Sequence, residues 1–202
     1  MSARTARVTL VAGASALALA GCGATATSYA YKNEIDPRTH EYVIGPADQL
    51  RVHVWQNADL STVALVRPDG TITMPLVGDI QVAGRTPSSV RTEIIARVAR
   101  WVRAEAAVVT VAVLEVNSYR FTVLGAVESP GAFDARHYVT VAEALAMAGG
   151  PTRFADTDAI ELVRRGGDGK FRRIPIRYDD VRASERPEAN LVLLAGDTLY
   201  IP

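Results

Sequence analysis

The sequence predicts an α+β protein: two small mixed α/β domains, the second β-grasp-like, behind an N-terminal leader. Three observations carry this. Residues 42–84 alternate short period-2 runs with turn residues. One capped amphipathic helix and one β-branched strand follow them. From residue 117 the order reads strand, strand, helix, strand, strand, strand, the arrangement of a small mixed sheet holding a single helix.

The bounds are set by composition. The chain has 202 residues and is 49% hydrophobic, enough for one or two small domains with real cores. Lys plus Arg equals Asp plus Glu at 22 each, so the basic excess of a general nucleic-acid binder is missing and no nucleic-acid partner is expected. Aromatic residues are only 6%, which argues against long sugar-stacking platforms.

Residues 1–21 read as an address. Arg4 and Arg7 precede an Ala-rich apolar run over residues 8–20, too short for a confident membrane span. The run ends Leu19-Ala20-Gly21-Cys22, which looks like a bacterial lipobox, with Cys22 as the thiol that takes the lipid. Cys22 is the sole cysteine, so no internal disulfide can form. Gly23 stands where an Asp would suggest inner-membrane retention, which favours the outer membrane. Residues 22–40 are small, polar and aperiodic and are expected to be a flexible tether.

The first domain is expected over 41–116. Leu50, Val52 and Val54 alternate with Arg51 and His53, a half-buried strand. Pro68-Asp69-Gly70 lies between two further alternating runs and predicts a hairpin turn. Thr86 is the expected N-cap and Pro87 the first residue of a helix. Val90, Ile94, Ile95, Val98, Trp101 and Val102 fall on one stripe, so Trp101 is expected in the core. Arg91, Arg97, Arg100 and Arg103 lie largely off that stripe. Such a row can bind an anionic polymer, but a solvated face is its commoner use. Residues 108–116 are β-branched at both parities and predict a strand covered on both faces.

The second domain is expected over 117–202. A turn at Ser129-Pro130-Gly131 joins two strands. Thr140-Val141-Ala142-Glu143 is a capping box. Gly149-Gly150-Pro151 stops the helix it opens. Strands are expected over 159–164 and 171–176 around Gly166-Gly167-Asp168-Gly169, and two short strand pieces around Gly196-Asp197.

The segments GPADQL, VRPDG, PLVGDI and VAG, in that order, resemble the N-terminal domain of outer-membrane polysaccharide export lipoproteins. VLGAVESPGAF, TVAEALAMAGGPT and LLAGDTLYIP are similar to the soluble-ligand-binding β-grasp (SLBB) domain of the same family. Together the two resemblances cover nearly everything from Tyr42 onward. They imply a lipid-anchored subunit of a homo-oligomeric periplasmic ring on the outer membrane. Such a ring exports capsular or extracellular polysaccharide alongside an inner-membrane polysaccharide co-polymerase. The family often has Gly-Asp where this chain has Ala47-Asp48, so that turn is expected to be tighter or less strained. Some members continue into an amphipathic pore helix. This sequence reads as a short form without it, and a separate outer-membrane pore protein is expected.

No catalytic constellation emerges. His40, His53 and His137 are far apart, and no nucleophile elbow, phosphate loop or metal-ligand spacing is present. No cofactor, no metal and no enzymatic activity are expected. Asp69, Asp79 and Asp197 stand beside glycines and read as caps of turn backbone. Arg164, Arg165, Lys170, Arg172 and Arg173 flank the Gly-rich hairpin. They are the candidate contacts to an acidic glycan or to a neighbouring subunit, with a solvated hairpin as the plainer use. The alternative function is a LysM-like glycan- or peptidoglycan-binding lipoprotein, because YVIGPADQL resembles the opening of that repeat.

Overall fold

The computed structural model describes residues 29–101, 108–182 and 186–202. The leader, Cys22, Val102 and Arg103 lie outside the described residues. Two hydrophobic cores divide the remainder.

The first core is built by β1 (Gln49–Val54), β2 (Thr62–Leu65), β3 (Thr71–Met74), β4 (Gly78–Gln81), α1 (Pro87–Val98) and β5 (Val109–Glu115). β1 lies between β2 and β5 in a three-stranded sheet, antiparallel to both, and β3–β4 is a separate hairpin. Alternation on β1 works as read: Leu50, Val52 and Val54 are fully buried while Arg51 and His53 face outward. Against them pack Val90, Ile94 and Val98 of α1 and Ile72, Met74 and Ile80 of the hairpin. Burying each such side chain is worth about 1.5–3 kcal/mol. Thr86 caps α1, accepting the Ser89 N–H at 3.3 Å, and Pro87 opens the helix.

Several expectations are corrected here. The turn at 68–70 forms, with Gly70 at φ +82° and its N–H on the Arg67 carbonyl. However, the strands it joins, β2 and β3, belong to different sheets. The laddered hairpin comes one turn later, where Leu76 takes φ +59°. β5 is a sheet edge covered on one face only: Val109, Val111 and Val113 pack inward while Thr110 and Leu114 are exposed. Trp101 is 57% exposed rather than core, because α1 ends at Val98 and the stripe ends with it. The row of arginines is only partly solvated, since Arg97 pairs with Glu93 and donates to the Asp79 carbonyl. Asp79 lies on β4, not in a turn. A LysM-like repeat needs two helices after its opening strand; β2, β3 and β4 stand there instead.

The second core is built by β6 (Arg120–Gly125), β7 (Gly131–Asp134), α2 (Val141–Met147), β8 (Ile160–Arg165), β9 (Phe171–Ile176), α3 (Tyr178–Arg182) and β10 (Thr198–Ile201). The sheet order is β7-β6-β10-β8-β9, with β10 parallel to β6 and antiparallel to β8. The last strand thus lies at the centre, the β-grasp pattern with α2 across one face. The capping box is complete: Thr140 Oγ1 accepts from Glu143 N–H, and Glu143 Oε2 accepts from Thr140 N–H at 2.7 Å. Gly125 is required where β6 and β10 converge, since a Cβ there would lie 1.9 Å from the Ile201 carbonyl oxygen. Of the two expected C-terminal strand pieces, the first reduces to one bridge, Thr140 to Val192. The short α3 was not foreseen.

The expected tether is the largest correction. Residues 22–28 lie outside the described residues, but 29–40 form a strap of two short 3-10 turns packed onto the second core. Tyr31 is buried, its hydroxyl donates to the Pro175 carbonyl at 2.7 Å, and the Arg186 guanidinium lies 5.1 Å over its ring. Small polar composition concealed two aromatic anchors.

Ala47 also reverses its expectation. It sits at φ +71°, the left-handed region, so the turn is more strained for lacking glycine. That backbone costs an L-residue about 1–2 kcal/mol, and glycine gives back about 0.5–1 kcal/mol in chain entropy. Ala47→Gly is expected to stabilise the protein by up to about 1 kcal/mol in chemical denaturation. An unchanged or lowered midpoint would contradict this account.

Candidate functional site

The two cores meet at a buried carboxylate. Asp48 is fully buried. Its Oδ1 accepts the backbone N–H groups of Asn117 and Ser118, each at 2.8 Å. Its Oδ2 accepts the Gly45 N–H at 2.8 Å, the Tyr42 hydroxyl at 2.6 Å and the Ser118 hydroxyl at 3.0 Å. One side chain from the turn before β1 thereby holds the linker between β5 and β6. The left-handed Ala47 brings the carboxylate to this position, and Asn117 Nδ2 closes back onto the Ala47 carbonyl.

Over this clasp lies a largely apolar groove of about 560 Å³. The strap supplies Ile35, Pro37 and His40; the entry to the first core supplies Tyr42 and Val43; the second supplies Tyr119, Tyr138 and Leu194. Burial and the hydrogen bond to Asp48 push the Tyr42 hydroxyl above its ordinary range. Burial does the same to Tyr119, whose hydroxyl donates to the Leu193 carbonyl and accepts the Val139 N–H, and to Tyr138. These phenols stay protonated at neutral pH, and Tyr42 and Tyr119 serve as hydrogen-bond posts, not bases.

The basic hairpin divides. Arg164 does not reach the surface: it is buried, donating from Nε and Nη2 to Asp197 and from Nη2 to the Val192 carbonyl at 2.8 Å, with Glu34 of the strap on Nη1. It is therefore withdrawn as a contact residue. β8 alternates Ile160, Leu162, Arg164 toward the core, and that period was readable in the sequence. Burial pushes the Asp197 carboxyl up, with Arg164 pulling the other way, and Asp197 also accepts the Leu194 N–H. Arg172 sits at the rim of this cluster on Glu34, and Arg173 pairs with Glu161. Arg165 and Lys170 are exposed. Asp69 caps its turn as read, accepting the Thr71 N–H at 3.0 Å. Among the described residues no group of three or more His, Cys, Asp or Glu is arranged to hold a metal ion.

A family model described as polysaccharide biosynthesis/export protein matches residues 36–114, and an SLBB-domain model matches residues 120–175. The gap between the matches contains Asn117 and Ser118, which close on Asp48. The capsule polysaccharide export protein BexD of Haemophilus influenzae is 34% identical over 141 residues, 68% of this chain and 32% of that protein. The exopolysaccharide production protein ExoF of Rhizobium meliloti is 34% identical over 131 residues, 57% of this chain and 30% of that one. The EPS I polysaccharide export outer membrane protein EpsA of Ralstonia nicotianae is 31% identical over 185 residues, 79% and 47%. The chain thus spans about a third to a half of the length of these curated relatives.

Two substitutions test the clasp and the ion cluster. A buried donor stripped of its acceptor costs about 1–3 kcal/mol. Asp48→Ala leaves several, so it is expected to cost about 2–4 kcal/mol and to split unfolding into two transitions. A single unshifted transition would refute the clasp. Arg164→Met leaves the buried Asp197 without its guanidinium, while Glu34 keeps Arg172 and the Tyr29 hydroxyl, and is expected to cost about 3–5 kcal/mol. That deficit should shrink as pH falls toward the ordinary carboxylate pKa of about 4. The Asp197 carboxyl, raised by burial and in this variant no longer held down by Arg164, takes up its proton before the unfolded chain does, so acid favours folding of this variant relative to wild type. A pH-independent deficit would contradict the assignment.

Proposed function

The chain belongs to the polysaccharide export family, and we propose that it is a non-catalytic, lipid-anchored subunit of a periplasmic ring that conducts capsular or extracellular polysaccharide across the cell envelope. The observation that carries this reading is the pair of export-family domains in order along the chain, 36–114 and then 120–175. The anchor in this reading is Cys22, and the location is the periplasmic face of the outer membrane. Its partners are the polysaccharide, further copies of the chain and an inner-membrane co-polymerase.

The state of the buried carboxylates and of the groove supports a role in binding and assembly. Asp48 and Asp197 are occupied by backbone, hydroxyl and guanidinium donors, and the groove tyrosines hold their protons. Among the described residues no helix is long and apolar enough to cross a membrane. The reading therefore leaves the outer-membrane crossing to chain or protein outside the described residues, for which a separate pore protein is the proposal. The exposed Arg165 and Lys170, with Arg172 and Arg173 beside them, remain the proposed meeting point with anionic glycan or a neighbouring subunit.

Deleting the gene is expected to abolish surface polysaccharide while intracellular polymer still accumulates, with restoration by the wild-type chain. Cys22→Ser should release the protein from the membrane fraction and fail to complement. Loss of intracellular polymer on deletion would point to synthesis instead of export. A Cys22→Ser protein with wild-type mass and membrane fractionation would remove the lipid anchor from the reading.

A further inference from the structure

The sheet edges of this protein are not treated alike. At one edge of the five-stranded sheet, β9 carries Pro175, which has no N–H to offer, together with Arg172 and Arg173, and the strap's Tyr31 caps the Pro175 carbonyl. At the other edge, β7 carries Asp134, which is paired across the ladder with Arg120. On the β3–β4 hairpin, the Asp79 and Gln81 carbonyls of β4 are taken by Arg97 and Arg85. Each of these edges has a device that prevents another strand from adding to it.

Among the described residues, the two edges of the three-stranded sheet carry no proline, no paired charge and no side chain bonded to an outward carbonyl. Thr62–Leu65 of β2 contains no charge, proline or glycine, and Val63 and Leu65 are 50% and 58% exposed. Val109–Glu115 of β5 carries a single charge at its far end, and its one irregularity in register falls at that same end. Among the described residues, only β1 pairs with the backbone of either strand. The two bare edges also match each other. Both strands are antiparallel to β1, so they run parallel to one another. Both are level through one residue, since Arg51 stands opposite Val63 on β2 and opposite Ala112 on β5. A second copy therefore presents to β5 the strand that β5 lacks, with no inversion of either copy.

We infer that the β5 edge of one copy pairs in parallel with the β2 edge of the next, carrying one sheet from subunit to subunit. This rests on the assembly proposed above and gives it an interface. The pairing is heterologous, the kind that closes into rings and not into isolated dimers. It satisfies the outward N–H and C=O groups of both edges and brings Val63 and Leu65 against Ala112 and Leu114 on the open face.

The test is cysteine cross-linking of the full-length chain in its own envelope. Val63→Cys is combined in turn with Thr110→Cys, Ala112→Cys and Leu114→Cys, allowing a stagger of one residue pair either way. Each single variant controls for disulfides through Cys22. One double variant is expected to give a ladder of multimers beyond the dimer on non-reducing gels, and the singles none. Val63→Lys, at an exposed position, is expected to lose the multimers while keeping the wild-type unfolding midpoint. Dimers from Val63→Cys or a β5 single that persist when Cys22 is also replaced by Ser would mean that like edges pair, and would overturn the inference. Wild-type multimers retained by amine cross-linking, with no disulfide ladder at any register and no effect of Val63→Lys, would overturn this interface and leave the ring reading standing. A wild-type chain that amine cross-linking finds only as monomer would overturn both.

Discussion

The Asp48 carboxylate lies where the turn before β1 and the linker after β5 converge. Each of its oxygens is spent on groups that otherwise have no partner at the junction. A carboxylate accepting backbone N–H groups is among the stronger uncoupled hydrogen-bond arrangements available to a protein. Here it ties the turn before β1 to the linker that leads from the first core into the second. The Tyr42 post at the groove and the hold on the linker into β6 follow from that one placement. The strain at Ala47 is stored at the same point, where the surrounding bonds over-determine the backbone.

The cluster of Glu34, Arg164 and Asp197 is a different kind of constraint. Buried ion pairs add little net stability, because desolvation offsets the attraction. They are intolerant of wrong partners, however. Strap, β8 and the turn before β10 must all be in register before the charges are matched. The second core thus gains uniqueness of arrangement more than strength.

What the sequence disclosed was local. The β1 alternation, the Thr86-Pro87 start and the Thr140–Glu143 box are settled by neighbours a few residues away, and they came out as read. Errors arose where partners are distant. Tyr31 and Glu34 looked like linker because Pro175 and Arg164 lie far along the chain. Asp48 reads as an ordinary turn residue because Asn117 and Ser118 lie 69 and 70 residues further along the chain. The turn at 68–70 was recognised, but which strands pair across it depends on the sheet and not on the turn. For Arg164 the signal is local: charge suggests the surface, but the period it shares with Ile160 and Leu162 places it inside.

The strap has a consequence for the order in which this protein comes together. The second core is discontinuous: residues 29–40 belong to it, the next stretch builds the first core, and only then does the chain return. Tyr31 meets Pro175 across 144 residues, and Arg186 reaches the Tyr29 carbonyl across 157. During synthesis the N-terminal part emerges first, so the strap waits for nearly the whole chain before its partners exist. The first core, by contrast, closes from a single continuous stretch. Loop-closure entropy rises only slowly with length, so the delay costs time more than stability. The seam between the strap and its partners Pro175 and Arg186 can therefore close only after most of the chain has been made.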